Sequence, residues 1–287
     1  MPELPEVETV RQGLRPALEG QVLRAVEVRR GDLRQPVPAD FVQRLTGKRL
    51  DRLGRRGKYL LAYCEHDPVL IIHLGMSGRL TILNAGAGAQ PGRFAYDQPA
   101  PGAHDHIAFE TEAGTRIVYS DHRRFGLMTL AETDQLEAHP LLRDMGPEPL
   151  EDSFTAPIFQ KRLAGKSASI RAALLDQRVV AGLGNIYVAE ALFRAGIAPG
   201  RPAGSLSPVR LTRLVAAIKA VLSDAIAAGG STLRDYAKAD GELGYFQHAF
   251  QAYGRAGEPC LTVGCTGRIR RTVEAGRSSF HCPRCQR

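Results

Sequence analysis

Near Leu130 the apolar rhythm of this 287-residue chain changes, and that change restricts the architectures open to it more than any other feature. Between Val22 and Leu130 the apolar residues come in short β-type runs: Val22–Arg29, Lys58–Tyr63, Val69–Leu74, Arg79–Leu83, His106–Glu110, Thr115–Ser120 and Phe125–Leu130. Several alternate apolar with polar, and turn residues separate them, the pattern of a sandwich or barrel of short strands. Beyond Leu130 the spacing becomes helical. Ser169 is placed to cap Ile170–Gln177, Asn185 to cap Ile186–Ala195, and Gly196 to end that helix. A longer helix begins at Ser207 with Pro208 in its first turn, carries Leu211, Leu214, Val215, Ile218, Val221, Leu222 and Ile226 as its apolar stripe, and closes at Gly229-Gly230. One helix precedes the strands, from Pro5 to about Leu18, with Val7, Val10, Leu14 and Leu18 on one face.

The chain is long enough for two domains with separate cores. The reading is an α+β protein: an N-terminal β-sandwich with flanking helices over 1–130, a proline-bearing hinge over 131–150, a helical domain over 151–252 and a small hairpin module over 253–287. The stretch Asn84–Gly102, rich in Ala, Gly and Pro, reads as a loop. A cleft between the two halves is the default ligand site.

The last module carries four of the five cysteines, as Cys260-x4-Cys265-x16-Cys282-x2-Cys285. Two close thiol pairs separated by a hairpin-sized stretch can surround one tetrahedral zinc. A pair of structural disulfides is the alternative, disfavoured because nothing else points to an oxidising compartment. Cys64, after an apolar run, reads as an ordinary core thiol.

Charge favours a polyanionic partner. Lys plus Arg number 38 against 30 Asp plus Glu, a net charge of +8. Arg44, Lys48, Arg49, Arg52, Arg55, Arg56 and Lys58 face only Asp51, and Arg268, Arg270, Arg271 and Arg277 lie between the cysteine pairs. Two solvated basic faces would give the same counts, but the second cluster coincides with the metal motif, which favours a nucleic-acid footprint. No apolar run reaches the roughly 20 residues of a membrane span, and the acidic, proline-rich start is unlike a secretory signal, so the expected compartment is the cytoplasm.

The N-terminus admits two readings. With Met1 removed, Pro2 would carry a secondary amine, unprotonated in useful fraction near neutrality, beside Glu3 as a proton carrier. Equally, Pro2 could be a loose end, with Glu3 and Glu6 complementing the helix dipole. Likewise Gly182-Leu183-Gly184-Asn185 is either a plain helix hairpin or a phosphate site at a helix N-terminus.

Taken in order, the segments Pro2-Glu3-Leu4-Pro5-Glu6-Val7-Glu8-Thr9, Arg56-Gly57-Lys58-Tyr59-Leu60, His73-Leu74-Gly75-Met76-Ser77-Gly78, His104-Asp105-His106, Asp121-His122-Arg123-Arg124-Phe125-Gly126, Leu183-Gly184-Asn185-Ile186-Tyr187 and the four cysteines resemble the bacterial formamidopyrimidine-DNA glycosylases, also called 8-oxoguanine DNA glycosylases, along nearly the whole chain. The resemblance implies a monomeric repair enzyme acting on damaged double-stranded DNA. It would have a catalytic first domain, a helix–two-turn–helix motif, a zinc-finger hairpin with one structural zinc, and no organic cofactor. It implies removal of oxidised purines followed by strand cleavage, with Pro2 as nucleophile on the sugar, Glu3 as acid, Lys58 as proton donor in β-elimination and Arg277 in δ-elimination. It places His104, Arg124, Lys166 and Asn185 on phosphates, and Met76, Arg123 and Phe125 in the gap left by the flipped base. The segment Ala237–Tyr245 would close over that base.

Three departures stand out. Four residues, not two, separate Cys260 from Cys265; Ala103 stands where a basic residue is common; and the Lys166 segment is one residue out of step, which leaves Lys166 or a neighbour as the phosphate ligand. An endonuclease VIII-like enzyme for oxidised pyrimidines fits His73–Gly78 and Arg123–Phe125 less well, and a non-catalytic zinc-ribbon protein would not need Pro2, Glu3 and Lys58.

Overall fold

A computed structural model describes residues 2–84, 102–232, 239 and 244–287. The expected loop over 84–102 falls almost wholly outside them, as does most of the 237–245 segment. The chain divides into two compact units, one of Met1–Arg143 with Ala228–Tyr245, the other of Asp144–Ala227 with Phe246–Arg287.

In the first unit, helix α1 (Leu4–Leu18) and the short α2 (Phe41–Leu45) accompany β1 (Leu23–Val28), β2 (Leu50–Arg56), β3 (Tyr59–Cys64), β4 (Val69–His73), β5 (Arg79–Asn84), β6 (Asp105–Thr111), β7 (Thr115–Ser120) and β8 (Leu127–Ala131). The strands form two antiparallel four-stranded sheets, ordered β1-β6-β7-β5 and β2-β3-β4-β8. Alternation decides what each contributes: Val26, Ile107, Phe109, Ile117 and Tyr119 from the first sheet share one core with Leu53, Leu60, Ala62, Leu70, Ile72 and Met128 from the second. Val7, Val10, Leu14 and Leu18, the stripe read from the sequence, seal this core from α1, and Cys64 lies within it.

The sequence reading left out two elements here. β2 lies inside the stretch taken as a basic cluster, and α2 ends at the start of it. In β2 only Leu50 and Leu53 are fully buried; Asp51 and Arg52 are exposed, Arg52 lying 3.3 Å from the Tyr63 ring centroid, while Arg55 and Arg56 are half-buried. Outward charge thus hid a strand. Lys58 is not in a strand either; register pairs Arg56 with Tyr59, leaving Gly57 and Lys58 as a two-residue hairpin turn with Gly57 at φ 55°.

The second unit holds α3 (Ala156–Leu163), α4 (Ile170–Leu175), α5 (Asn185–Ala195) and α6 (Pro208–Ala227), followed by the hairpin β9 (Arg270–Glu274) and β10 (Arg277–His281). α6 packs on α5 and α3 through its predicted stripe, of which Leu214, Ile218, Val221 and Leu222 are fully buried. Ser169 caps α4 as expected, its hydroxyl accepting the Ala172 N–H at 3.1 Å, but α4 stops at Leu175. Gln177 instead ties the turn into α5, accepting the Gly182 N–H and donating to the Leu175 and Leu183 carbonyls. Phe193 of α5 packs with Ala252, Cys260, Ile269 and Cys282, so the hairpin module shares a small core with the helices.

Candidate functional site

Pro2 and Glu3 are buried at the head of α1, with Glu3 only 3 % exposed. Glu3 and Glu6 make a capping box in which Glu6 Oε2 accepts the Glu3 N–H at 2.8 Å. Glu6 Oε1 accepts the Ser231 N–H at 2.8 Å, which fastens this end to a segment more than two hundred residues away in sequence. α1 packs on β2, the strand that leads into the Gly57–Lys58 turn. Glu8 secures that packing through ion pairs to Arg11 and Arg55. Burial pushes the Glu8 carboxyl up, yet the bonds from Arg11 and Gln12 and the charges of Arg11 and Arg55 more than offset it and hold it below the usual carboxylate range.

Lys58 is buried, and its charge reaches His73 at the end of β4, opposite Tyr59. Burial, then the Lys58 and Arg34 cations, push the His73 imidazole down to about 4. Its ring is neutral near pH 7, and Nδ1 accepts the Gly75 N–H at 3.0 Å, which leaves the ring proton on Nε2.

From His73 the chain enters the loop that carries Met76. Met76 is exposed, as are Arg123 and Phe125 on the loop between β7 and β8. The Arg123 guanidinium lies 4.9 Å from the Phe125 ring centroid, a cation–π pair. Arg124 takes a left-handed backbone, φ 56°, and its Nη1 pairs with Asp32 at 2.6 Å. His104 is exposed with its ring 6.1 Å from that of His122, and its carbonyl accepts the Asp121 N–H. Lys58, Met76, His104, Arg123 and Arg124 therefore all sit on turns or loops at the ends of sheet strands in the first unit.

In the second unit Asn185 is the first residue within α5, and Gly184 takes the cap position. This corrects the expectation that Asn185 caps the helix. Its side chain points elsewhere: Oδ1 accepts from Arg171 Nη2 at 2.8 Å and Nδ2 donates to the Ser278 carbonyl at 2.9 Å. Buried Arg171 also donates to the Ser278 carbonyl and pairs with Glu274, while Ser169 bonds the same carboxylate. Asn185 and Arg277 are thereby brought together, since Arg277 precedes Ser278 at the tip of the hairpin and is exposed. Ala275 and Gly276 form that tip with φ of 48° and 73°, the signature of a tight two-residue hairpin. Lys166 is half-buried in the loop before α4, its carbonyl held by the Gly204 N–H.

The four sulfurs of Cys260, Cys265, Cys282 and Cys285 lie within 4.8 Å of one another. Cys260–Cys285 and Cys265–Cys282 are each 3.8 Å apart. That is far beyond a disulfide and matches the edge of a tetrahedron with metal–sulfur bonds of about 2.3 Å. A Cβ on Gly267 would lie 2.9 Å from Cys282 Sγ, so only glycine lets the backbone come this close. The donor set fits a metal ion held by four thiolates.

The sequence reading assigned no role to His73, Asp121, Arg171 or Gln177. Each is a polar residue in a stretch whose apolar pattern gives no hint of the partner, which comes from another element.

Comparison with known proteins identifies the group. The chain matches the family models for the formamidopyrimidine-DNA glycosylase N-terminal domain over residues 1–128 and for its H2TH domain over residues 145–237. A formamidopyrimidine-DNA glycosylase of Cereibacter sphaeroides strain KD131 is 58 % identical over 287 residues, all of both chains. A solved complex of a Lactococcus lactis Fpg variant with Fapy-dG containing DNA superposes with a TM-score of 0.87 at 35 % identity over 100 % of both chains. A complex of MutM with carbocyclic 8-oxo-G containing DNA gives 0.86, also at 35 % and over 100 % of both. The chain belongs to the formamidopyrimidine-DNA glycosylase family, a family of DNA-repair glycosylases. Among the described residues no helix is long and apolar enough to cross a membrane.

Proposed function

We propose that this chain, as a monomer, removes oxidised purines from damaged double-stranded DNA and then cuts the strand at the resulting abasic site. Support comes from relatives, matched over the whole of both chains, whose bound DNA contains carbocyclic 8-oxo-G or Fapy-dG. The observation that carries the mechanism is the buried Pro2–Glu3 end, held by Glu6 and through it by Ser231. A reacting amine needs such fixed placement.

Once Met1 is removed, the Pro2 nitrogen attacks C1′ of the extruded nucleotide and the base departs, with Glu3 supplying the proton that opens the sugar. Ring opening leaves an iminium, because a secondary amine bonded to an aldehyde carbon carries a positive charge. That charge acidifies C2′. Loss of its proton expels the 3′ phosphate, with Lys58 moving protons, and δ-elimination assisted by Arg277 releases the 5′ phosphate. His104, Arg124, Asn185 and Lys166 or a neighbour hold the backbone; such contacts position the enzyme and read no sequence. Met76, Arg123 and Phe125 fill the gap. Cys260, Cys265, Cys282 and Cys285 hold a structural zinc, whose four thiolates leave no open position for substrate.

Borohydride tests the central step. Incubated with an 8-oxoguanine·cytosine duplex, the protein should be trapped on DNA by reduction of the iminium. An extra residue before Pro2 turns its nitrogen into an amide and should abolish trapping. Undiminished trapping by the extended protein would shift the nucleophile to a lysine such as Lys58.

A further inference from the structure

Asp121 is fully buried, yet it carries a carboxylate and belongs to none of the roles above. Oδ1 accepts the Ser77 hydroxyl; Oδ2 accepts the Tyr119 hydroxyl at 3.0 Å and the Gly126 N–H at 2.9 Å. Its carbonyl faces His106 Nε2 at 2.8 Å and takes the Arg124 N–H at 3.2 Å. The donors therefore come from the Met76 loop, from β6 and β7, and from the Arg123–Phe125 loop. A carboxylate only accepts, so the Ser77 hydrogen is committed to Asp121 and its lone pairs are left to face the Arg123 N–H, 3.2 Å away. One hydroxyl thus bridges the two loops. Burial and the neighbouring Asp121 charge push the Tyr119 phenol far up, which keeps it a donor. The loops also touch backbone to backbone: a Cβ on Gly75 would lie 2.3 Å from the Gly126 nitrogen and 2.4 Å from the Phe125 carbonyl carbon.

We propose that Asp121, acting through Ser77, is a positioning residue for opposite-base selectivity: it locks the Met76 loop and the Arg123–Phe125 loop into one rigid wedge. Discrimination between cytosine and adenine by the Arg123 donor fork requires that the fork cannot shift to suit either base. Its backbone nitrogen is held by Ser77, and Ser77 is held by Asp121. The inference rests on the reading that Arg123 faces the orphaned base.

The test compares excision of 8-oxoguanine opposite cytosine and opposite adenine with cleavage of a preformed abasic site in single-stranded DNA. The single strand has no opposite base, so the wedge has nothing to read there. Ser77→Ala should lower the cytosine-to-adenine ratio of kcat/KM by about five-fold, the scale of one lost neutral hydrogen bond, here the one from the Arg123 N–H, and leave single-strand cleavage unchanged. Ser77→Thr, which keeps the hydroxyl, should restore the ratio. Asp121→Asn replaces one acceptor oxygen with a donor and should reproduce the Ser77→Ala result. An unchanged ratio in both Ser77→Ala and Asp121→Asn overturns the inference. So does an equal fall in all three activities, which would mark the network as fold support only. Arg123→Ala is run alongside. If it too leaves the ratio unchanged, the wedge reading itself has failed; if it alone shifts the ratio, only the Asp121 inference has.

Discussion

At the scale of single residues, several polar groups of the first unit are held by partners remote in sequence, and Arg123 shows what that arrangement offers. Its guanidinium is exposed beside the Phe125 ring while its backbone nitrogen is anchored in a buried network. A planar fork of donors suits the acceptors of cytosine, whereas adenine presents a donor. Arg123→Ala should therefore slow excision opposite cytosine and narrow the gap to adenine; paired kinetics on the two duplexes measure both. The residues of this loop could be read from the sequence, because they stand together in a recognisable segment. Their fixation could not, because Asp121 and Ser77 are ordinary polar letters until the fold makes them neighbours. Asn185 makes the same point in reverse: its position before an apolar helical run marks a cap, but Arg171 and Ser278 claim its side chain and leave the cap to Gly184.

Among the elements, the hairpin depends most on something outside its own sequence preferences. β9 and β10 are five residues each, β9 largely exposed and β10 mostly half-buried, too small to be stable alone. Their support comes from the cysteine cluster, from the small core around Phe193, and from Glu190, whose buried carboxylate accepts the N–H groups of Gln251, Ala252 and Tyr253 at 2.8–2.9 Å. Cys282→Ser should release the bound metal, detected with a colorimetric chelator, and weaken DNA binding, because Arg277 loses its platform. Full DNA affinity in metal-free Cys282→Ser protein would contradict the structural role. Spacing made this element legible, since thiols at fixed intervals encode one geometry. β2 was hidden for the opposite reason: five of its seven residues are polar or glycine, and the strand is held by pairing with β3 and by two inward leucines.

On the scale of the whole molecule, the two units have separate cores, and a titration confined to one should destabilise it alone. His73 provides it. The unfolded chain protonates this imidazole near 6.5, whereas the folded protein does so only near 4. Folding stability is therefore complete above pH 6.5 and falls as pH drops toward 4, by about 3 kcal/mol over that interval, with no further loss from this group below it. Urea melts at pH 7 and pH 4.5 should show the first unit weakened and the second little changed by this group, and His73→Asn should flatten the dependence. The change of period near Leu130 foretold an α+β molecule, but periodicity carries no information on long-range return. The segment Ala228–Tyr245, which follows the longest helix, belongs to the first unit, where Ser231 meets Glu6 and the Ala239 carbonyl accepts the Ile82 N–H. On the ribosome, then, the amino end waits: its anchor is not synthesised until the four helices of the other unit have been made. The fastening of the proposed reactive amine through Glu6 thus forms only after the helix that carries Asn185 has emerged, and before the hairpin that carries Arg277.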